Sequence, residues 1–449
     1  MPTQESAPAL GTRHEVVVVG GGQAGLSMSY CLTKLGIDHV VLEKHRIAHE
    51  WRERRWDSFC LVTPNWQCRL PGFPYAGADP RGFMLKDDIV KYVEDYARSF
   101  GAPVVEGVSA TSLRAAPGGG YDLQTTAGAC HAERVVVATG GYHIPKIPRL
   151  AERLPEEITQ LHASRYRNAG ALPDGDVLVI GSGQSGCQIA EDLHIAGRRV
   201  HLCLGSAPRT ARRYRGRDVV EWLEDMGYYH MPVHEHPLKE RVRGKANHYV
   251  TGRDGGRDID LRQRAKEGMR LYGRVVGARG GALELAGDLR QNLDQADAVA
   301  ESIKTSIDKF IAERGVTAPN EPRYVPVWEP AEEPRALDLK AAGITTVIWS
   351  TGFSTDYSWI EVPIFDGRGY PVHERGVTAA DGLYFLGLPW LYTWGSGRFS
   401  GVAADATHLA EQIVGPRASG LRPRAPDPDQ IGSVPEARGP RPEALFFRG

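Results

Sequence analysis

Cysteine is scarce and scattered in this chain: six among 449 residues, at positions 31, 60, 68, 130, 187 and 203, never closer than eight apart. No C-x-x-C or C-x-x-x-x-C pair exists, which excludes a redox-active dithiol and a zinc knuckle. Cys31, Cys187 and Cys203 sit inside apolar patterns and read as core residues. Long apolar runs are missing as well. No stretch reaches the ~18 residues of a membrane-spanning helix, and the N-terminal MPTQESAPALGTRHE lacks the apolar segment of a signal peptide. A cytoplasmic location is the expectation. An excess of charge of one sign is also absent: the formal net charge is −1, so neither nucleic acid nor an anionic membrane surface is expected as a partner. Within the basic set 43 arginines stand against 11 lysines. Bidentate recognition of phosphate or carboxylate and a compositional bias of the source genome explain that excess equally well. The sequence carries no serine-hydrolase elbow, no metal-spaced His/Cys/Asp cluster and no paired-carboxylate signature. The lone histidines His143, His162, His194 and His201 read as structural or surface residues.

The chain does have glycine at telling places. Val16 to Val19 form a β-branched run suited to a buried parallel strand. Gly20, Gly22 and Gly25 follow as G-x-G-x-x-G, where strand turns into helix. Gly20 permits the tight turn, Gly22 lets the backbone approach a pyrophosphate, and Gly25 lets helix and strand pack closely. The helix carries Ala24, Met28, Cys31, Leu32 and Leu35 at helical spacing and stops at Gly36. A second strand, His39 to Leu42, ends at Glu43, whose carboxylate is suited to an adenosine ribose. A second unit of the same kind begins at Val177 to Ile180, with Gly181, Gly183 and Gly186 and a helix through Ile189, Ala190, Leu193 and Ile195 to Gly197. Its next strand, Arg199 to Leu204, ends without an acid. Ser206, Arg209, Arg212 and Arg213 follow, which favours a 2′-phosphate and hence NADPH, although an arginine run also reads as solvated surface.

Between and after these units the reading is coarser. Residues 45–77 are dense in Trp, Arg and turn residues and read as a loop region lining a cofactor. Trp51, Trp56, Phe59 and Trp66 need something large to pack against: an isoalloxazine ring or ordinary domain packing. Asp87 to Phe100 reads as a helix, Val104 to Val105 and Tyr121 to Thr125 as strands, and Arg134 to Tyr142 as a buried strand leaving through Ala138-Thr139-Gly140. Within residues 207–335, a short helix is expected near Val219 to Met226, and strands at Met269 to Val276 and Ala282 to Leu285. A long amphipathic helix is also expected from Leu289 through Phe310 to Gly315, its apolar face serving as core or as a dimer contact. Pro319 to Pro334 reads as the return linker. Ser350-Thr351-Gly352 then echoes Ala138-Thr139-Gly140, GLYFLG (Gly382 to Gly387) closes the sheet, and Val402 to Val414 forms a last helix. The Pro- and Arg-rich segment 415–449 reads as a surface tail or a contact to a partner subunit. The expected class is α/β, with two Rossmann-like dinucleotide-binding domains, the second inserted into the first. The boundaries are 1–168 and 336–414 for the first domain, 169–335 for the second and 415–449 for the tail.

Read together and in order, these motifs resemble the flavin-containing monooxygenases of the two-dinucleotide-binding-domain type. The resemblance spans Glu15 to Val414 and is weakest over 207–335. It is similar in particular to a bacterial subgroup of flavin-dependent oxidoreductases whose genes tend to accompany a nitrilase. By this resemblance FAD sits on Gly20, Gly22, Gly25 and Glu43, with Trp51, Thr139, Gly140, Thr351, Gly352 and Gly387 around the cofactors. NADPH sits on Gly181, Gly183, Gly186, Ser206 and Arg209. Asn65, in LVTPNW, resembles the family asparagine beside the flavin oxygen adduct, and as a residue it also reads as a turn asparagine after Pro64. The family linker motif F-x-G-x-x-x-H-x-x-x-Y/F keeps His162 and Tyr166, while Glu156 and Ile158 replace its aromatic and glycine. Tyr166 in that place tilts away from Baeyer–Villiger chemistry. The implied activity is NADPH-dependent monooxygenation through a flavin C4a-hydroperoxide. The co-substrate is O₂, and the substrate is a small nucleophilic molecule, nitrogen-containing by the nitrilase association. A flavin reductase or dehydrogenase without oxygen insertion is the alternative.

Overall fold

A computed structural model describes residues 10–415, so the tail from residue 416 lies outside the described residues. In chain order the first part contains β1 (Arg13–Val19), α1 (Gln23–Lys34), β2 (His39–Glu43), α2 (Lys86–Ser99), β3 (Val104–Glu106), β4 (Ala110–Ala115), β5 (Tyr121–Thr125) and β6 (Gly128–Val137). There follow β7 (Thr159–His162), β8 (Asp176–Ile180), α3 (Gln184–Ile195), β9 (Val200–Cys203), β10 (Arg270–Tyr272), α4 (Leu289–Arg314), β11 (Ile344–Trp349), β12 (Leu383–Phe385) and α5 (Val402–Val414).

Two parallel sheets organise these elements. In the first, β12, β6, β1, β2 and β3 lie side by side and parallel, and the antiparallel pair β4–β5 extends from the free half of the long strand β6. In the second the order is β7, β11, β8, β9, β10, all parallel. Sheets of this kind are covered on both faces, which is why β1 and β8 are continuous apolar runs rather than alternating ones. Val16, Val17 and Val18 are fully buried, as are Val177, Leu178 and Val179. The two sheets repeat one plan: β6-β1-β2 in the first corresponds to β11-β8-β9 in the second.

That repeat corrects the expected domain boundaries. Thr159–His162 and Ile344–Trp349, placed by sequence in the first domain, pair in the second sheet on the far side of β8. The segment after Pro334 does not yet return either, because Ala336–Asp338 pairs with Ala282–Leu285. Short buried strands carry no label saying which sheet they join, and only the pairing partner decides. The chain passes between the two sheets through Ile144–Pro145 and Phe353–Ser354, which pair with each other antiparallel.

The long helix α4 begins at Leu289 and ends at Gly315, whose φ of 61° is the left-handed conformation that terminates helices. Its apolar face is core rather than a contact surface: Ile303, Ile307 and Ile311 are buried against Tyr214 and Trp222. The region between α3 and α4 also contains a helix that sequence reading missed, Leu261–Lys266, capped by the Asp260 carboxylate on the Arg262 and Gln263 amides. Residues 228–250 form short turns that pack Val233 and Val242 onto Trp390 in the loop after β12.

Gly387 leaves the closing strand at φ 81°, and a Cβ placed there would lie 2.5 Å from the Ala24 Cβ on α1. Gly387→Ala therefore combines left-handed strain with overpacking, and a loss of about 2–4 kcal/mol is expected in urea denaturation. An unchanged midpoint would mean that α1 and this turn are not rigidly apposed.

Candidate cofactor and active site

The first glycine loop is built by close approach. A Cβ on Gly20, at φ 114°, would sit 2.6 Å from the Ala138 carbonyl, and one on Gly25 would overlap the Gly20 carbonyl. Both positions therefore admit only glycine, which brings α1 hard against the β1–β6 edge. Gly22 is different, with nothing within 4 Å of where its Cβ would be. It is the N-cap of α1, has no side-chain cap, and no acid stands in the first turn. The helix start thus presents free N–H groups to open space, the arrangement that receives a pyrophosphate. Glu43, at the end of β2, accepts from the Gly21 amide at 2.7 Å and from the His45 amide at 2.9 Å. Its carboxylate is held at the mouth of the loop with lone pairs left for ribose hydroxyls.

The second loop reproduces this geometry. A Cβ on Gly181, at φ 107°, would strike the Ser350 carbonyl, one on Gly186 would strike the Gly181 carbonyl, and Gly183 is open. α3 likewise starts without a side-chain cap or a first-turn acid. Ala138-Thr139-Gly140 and Ser350-Thr351-Gly352 are therefore counterparts. Each exits the strand beside its own glycine loop, with Gly140 at φ 72° and Gly352 at φ 81°. The sequence echo was real, but Thr351 and Gly352 serve the second unit and the crossing. Thr351 Oγ1 donates to the Lys146 carbonyl, and the Gly352 carbonyl accepts from Lys146 N at 2.9 Å. On the first side the Thr139 hydroxyl is buried with no partner among the described residues. A buried polar atom of this kind fits a site completed by a ligand.

At the end of the second unit the strands register Leu42 with Val19 and Cys203 with Ile180, so Leu204 occupies the place of Glu43. An apolar residue there removes the acid that would repel a 2′-phosphate. Ser206 beyond it is exposed. Arg209 differs from expectation. It is 4% exposed, its Nε lies 2.6 Å from Asp297 on α4, and its guanidinium covers the Tyr324 ring at 4.0 Å. Burial works against its charge, and Asp297 with Tyr249, Asp260 and Tyr324 outweighs that cost and raises its pKa. Arg212 is similarly consumed by Asp218 at 2.5 Å and the Val62 carbonyl at 2.8 Å. Of the three arginines in the run only Arg213 remains exposed. The missing signal lay far along the chain, in α4 and the 319–334 segment that supply the partners.

Trp51 stands beside the first loop, its Nε1 donating to Gln23 Oε1 at 3.3 Å and its ring stacked on Phe399 at 5.6 Å. Gln23, the first residue of α1, reaches on to the Gly397 carbonyl at 3.3 Å. The tryptophan-rich loop, the first glycine loop and the turn before α5 thus meet at one place. Asn65 lies elsewhere in its duties. It is buried, its Nδ2 donates to the Asp79 carbonyl at 2.9 Å, and its Oδ1 accepts from Met84 N at 2.8 Å. Both ends of the amide brace the 79–84 loop, as the turn-asparagine reading expects, using one of its two donors and one of its two acceptor positions.

Where the two units face each other, Asp192 on α3 accepts from Tyr166 Oη at 2.6 Å, from Arg253 Nη1 at 2.7 Å and from Ser58 Oγ. Glu191 next to it takes Arg257 at 2.5 Å and Arg264 at 3.1 Å. Sequence reading missed both carboxylates: Asp192 ties the second unit to the loop of the first through Ser58, while Glu191 braces the second unit internally. Beside them Trp56, Ser58, Gln188 and Thr251 line a cavity of about 10 Å³, room for about one water. His162, retained from the linker motif, is buried at the crossing. Ser164 N donates to its Nδ1 at 3.2 Å, which leaves Nε2–H to donate to the Gly352 carbonyl at 3.0 Å.

Burial pushes the His162 pKa below its ordinary value, the Gly352 bond opposing it only in part. An imidazole depressed in the folded state contributes stability above its unfolded pKa, about 6.5, and loses it as pH falls toward the folded value. Denaturation between pH 7.5 and 5.5 should therefore show falling stability, and His162→Gln should flatten the slope by up to about 1.4 kcal/mol per pH unit. An unaltered slope would place the titration elsewhere. Arg209→Ala leaves Asp297 to Arg262 alone, which holds its other oxygen at 2.8 Å, and a loss of roughly 1.5–3 kcal/mol is expected with no selective change between NADPH and NADH. Full stability with selective loss of NADPH would restore the 2′-phosphate role.

Residues 17–226 match the family model of the pyridine nucleotide-disulphide oxidoreductases. A CzcO-like oxidoreductase of Geobacillus kaustophilus (strain HTA426) is 33% identical over 403 residues, covering 89% of this chain and 98% of its own length. An indole-3-pyruvate monooxygenase of Oryza sativa subsp. japonica is 32% identical over 197 residues, 39% of this chain and 44% of that one. Among solved structures, a flavin-containing monooxygenase from Stenotrophomonas maltophilia superposes with a TM-score of 0.61 at 19% identity, covering 90% of this chain and 99% of that one, a likeness of fold. The end-to-end match, together with two glycine loops of one geometry, places the chain in the CzcO-like oxidoreductases of the flavin-containing monooxygenase-type family, as a flavin-dependent oxidoreductase.

Proposed function

We propose that this protein is an NADPH-dependent FAD monooxygenase that passes one atom of O₂ to a small nucleophilic substrate. The observation that carries the reading is the pair of uncapped helix starts, each behind a glycine loop that admits no side chain, joined by one antiparallel crossing. Its cofactors are FAD and NADPH. Gly20, Gly22, Gly25 and Glu43 hold the FAD pyrophosphate and ribose, with Trp51, Thr139 and Gly140 along its length and Gly387 positioning α1. Gly181, Gly183, Gly186 and Ser206 hold NADPH, and Thr351 and Gly352 shape the exit beside it. When bound, FAD takes hydride from NADPH and activates O₂, one oxygen atom going to the substrate and the other to water.

The protein's own part is binding, orientation and exclusion of water. His162 fixes the crossing through the Gly352 carbonyl, and Asp192, which also holds Tyr166 and Arg253, reaches across to Ser58 in the loop of the first unit. The absence of a C-x-x-C pair speaks against disulfide reduction. A nitrogen-containing substrate rests on the resemblance to the nitrilase-associated subgroup alone. The alternative, a reductase without oxygen insertion, is favoured by the two altered residues of the linker motif, Glu156 and Ile158.

The test is to reduce the holoenzyme with NADPH and mix it rapidly with oxygen. Reoxidation that takes seconds and releases little free peroxide is expected, whereas immediate reoxidation with stoichiometric peroxide would overturn oxygen insertion in favour of the reductase. Gly186→Ala should abolish NADPH-driven reduction while the protein keeps its FAD.

A further inference from the structure

The deeply buried arginines of this chain come with acids. Arg209, Arg212 and Arg262 are at most 4% exposed, and each is paired with a carboxylate, respectively Asp297, Asp218 and Asp294. Such pairing is what keeping a guanidinium in the interior requires. Arg398, in the turn before α5, is half-buried without one. Its guanidinium carbon lies over the Trp394 ring, 3.8 Å from its centre, Nη1 donates to the Trp394 carbonyl and Nη2 to Asn247 Oδ1 at 2.8 Å. Both acceptors are neutral, and among the described residues no acid pairs with it. Burial lowers its pKa, with the Tyr142, Tyr229 and Tyr228 phenols opposing. The group is held in place by the ring and two bonds, with donors left over for a forked ligand.

Its neighbours describe the rest of that ligand. Tyr229 packs on Trp394 at 4.4 Å and on Tyr228 at 5.5 Å, giving an aromatic wall contributed by the 228–250 turns. On the other side, Gly397 receives Gln23 from the first glycine loop, and Phe399 stacks on Trp51. Arg398 therefore stands between the site read as the flavin's and the aromatic wall, facing the wall. The geometry points to Arg398 as the anchor for the carboxylate of the substrate, with a planar, aromatic or unsaturated body beside the partly exposed Trp394, which the buried Tyr229 backs. This substrate class, a planar organic carboxylate, rests on the monooxygenase reading for the reaction but not for the binding.

Binding is measured on the oxidised FAD holoenzyme, without NADPH, through perturbation of the flavin absorbance. The probes are benzoate, phenylacetate, 3-phenylpropionate and indole-3-acetate, each against its carboxamide. At least one carboxylate should titrate saturably and at least tenfold more tightly than its amide, a comparison that needs no variant. Arg398→Met should weaken that carboxylate at least tenfold, Arg398→Lys should recover part of the loss, and the KM for NADPH should move less than twofold. Equal binding of acid and amide, or no binding of any acid, would overturn the proposal. A variant that loses NADPH rather than the carboxylate would do the same, reassigning the anion to the reductant's phosphates. None of these outcomes depends on oxygen insertion, whose failure is read separately by peroxide release.

Discussion

The structure depends on two carbonyl groups, those of Gly20 and Gly181, lying where no side chain can stand. Each presses on the glycine that opens the first turn of the following helix, Gly25 or Gly186, so that helix and strand touch through backbone alone. The contact sets the position of the helix start, and the helix start sets where four unpaired N–H groups point. Both sheets are arranged around this contact: the strand next to β1 or β8 exits immediately beside the loop, at Ala138 and Ser350, whose carbonyls meet Gly20 and Gly181. One local constraint, used twice, generates the two sites.

Much of this was legible in sequence because it depends on neighbours along the chain. β1, α1, β2 and β8 through β9 follow from short-range pattern, and α5 was bounded at Val402 and Val414 by periodicity alone. What was not legible depends on partners far away. β7 and β11 look like any buried strands, and their sheet is known only from whom they pair with. Arg209 reads as a free cation until Asp297, 88 positions later, is brought against it. Asn65 reads as a site residue, and only the fold brings Asp79 and Met84 to the two ends of its amide. Arg398 shows the converse: Trp394, four positions earlier, already lies under it, and it becomes conspicuous only because the fold adds Asn247 and the Tyr228–Tyr229 rings around it and, among the described residues, no paired acid.

The electrostatics follow the same division. With a net charge of −1 the molecule has no overall field to steer a ligand. Selectivity must come from local placements, and the two units differ in one of them: Glu43 ends the strand of the first, Leu204 that of the second. A single exchange of carboxylate for hydrocarbon separates a loop suited to ribose hydroxyls from one that tolerates a further phosphate.

The crossing between the sheets has a mechanical consequence. Ile144–Pro145 and Phe353–Ser354 form a ribbon of two antiparallel strands. Paired strands twist readily but do not slide, since sliding would break every rung at once. The ribbon does not act alone: Ser58 bonds Asp192, Arg69 pairs with Glu224, Arg212 holds the Val62 carbonyl, and one buried apolar cluster runs through both halves, so the crossing is clamped from several sides. Lengthening one crossing by a residue without the other would shift the pairing register and set the ribbon against these contacts, leaving both glycine loops individually intact.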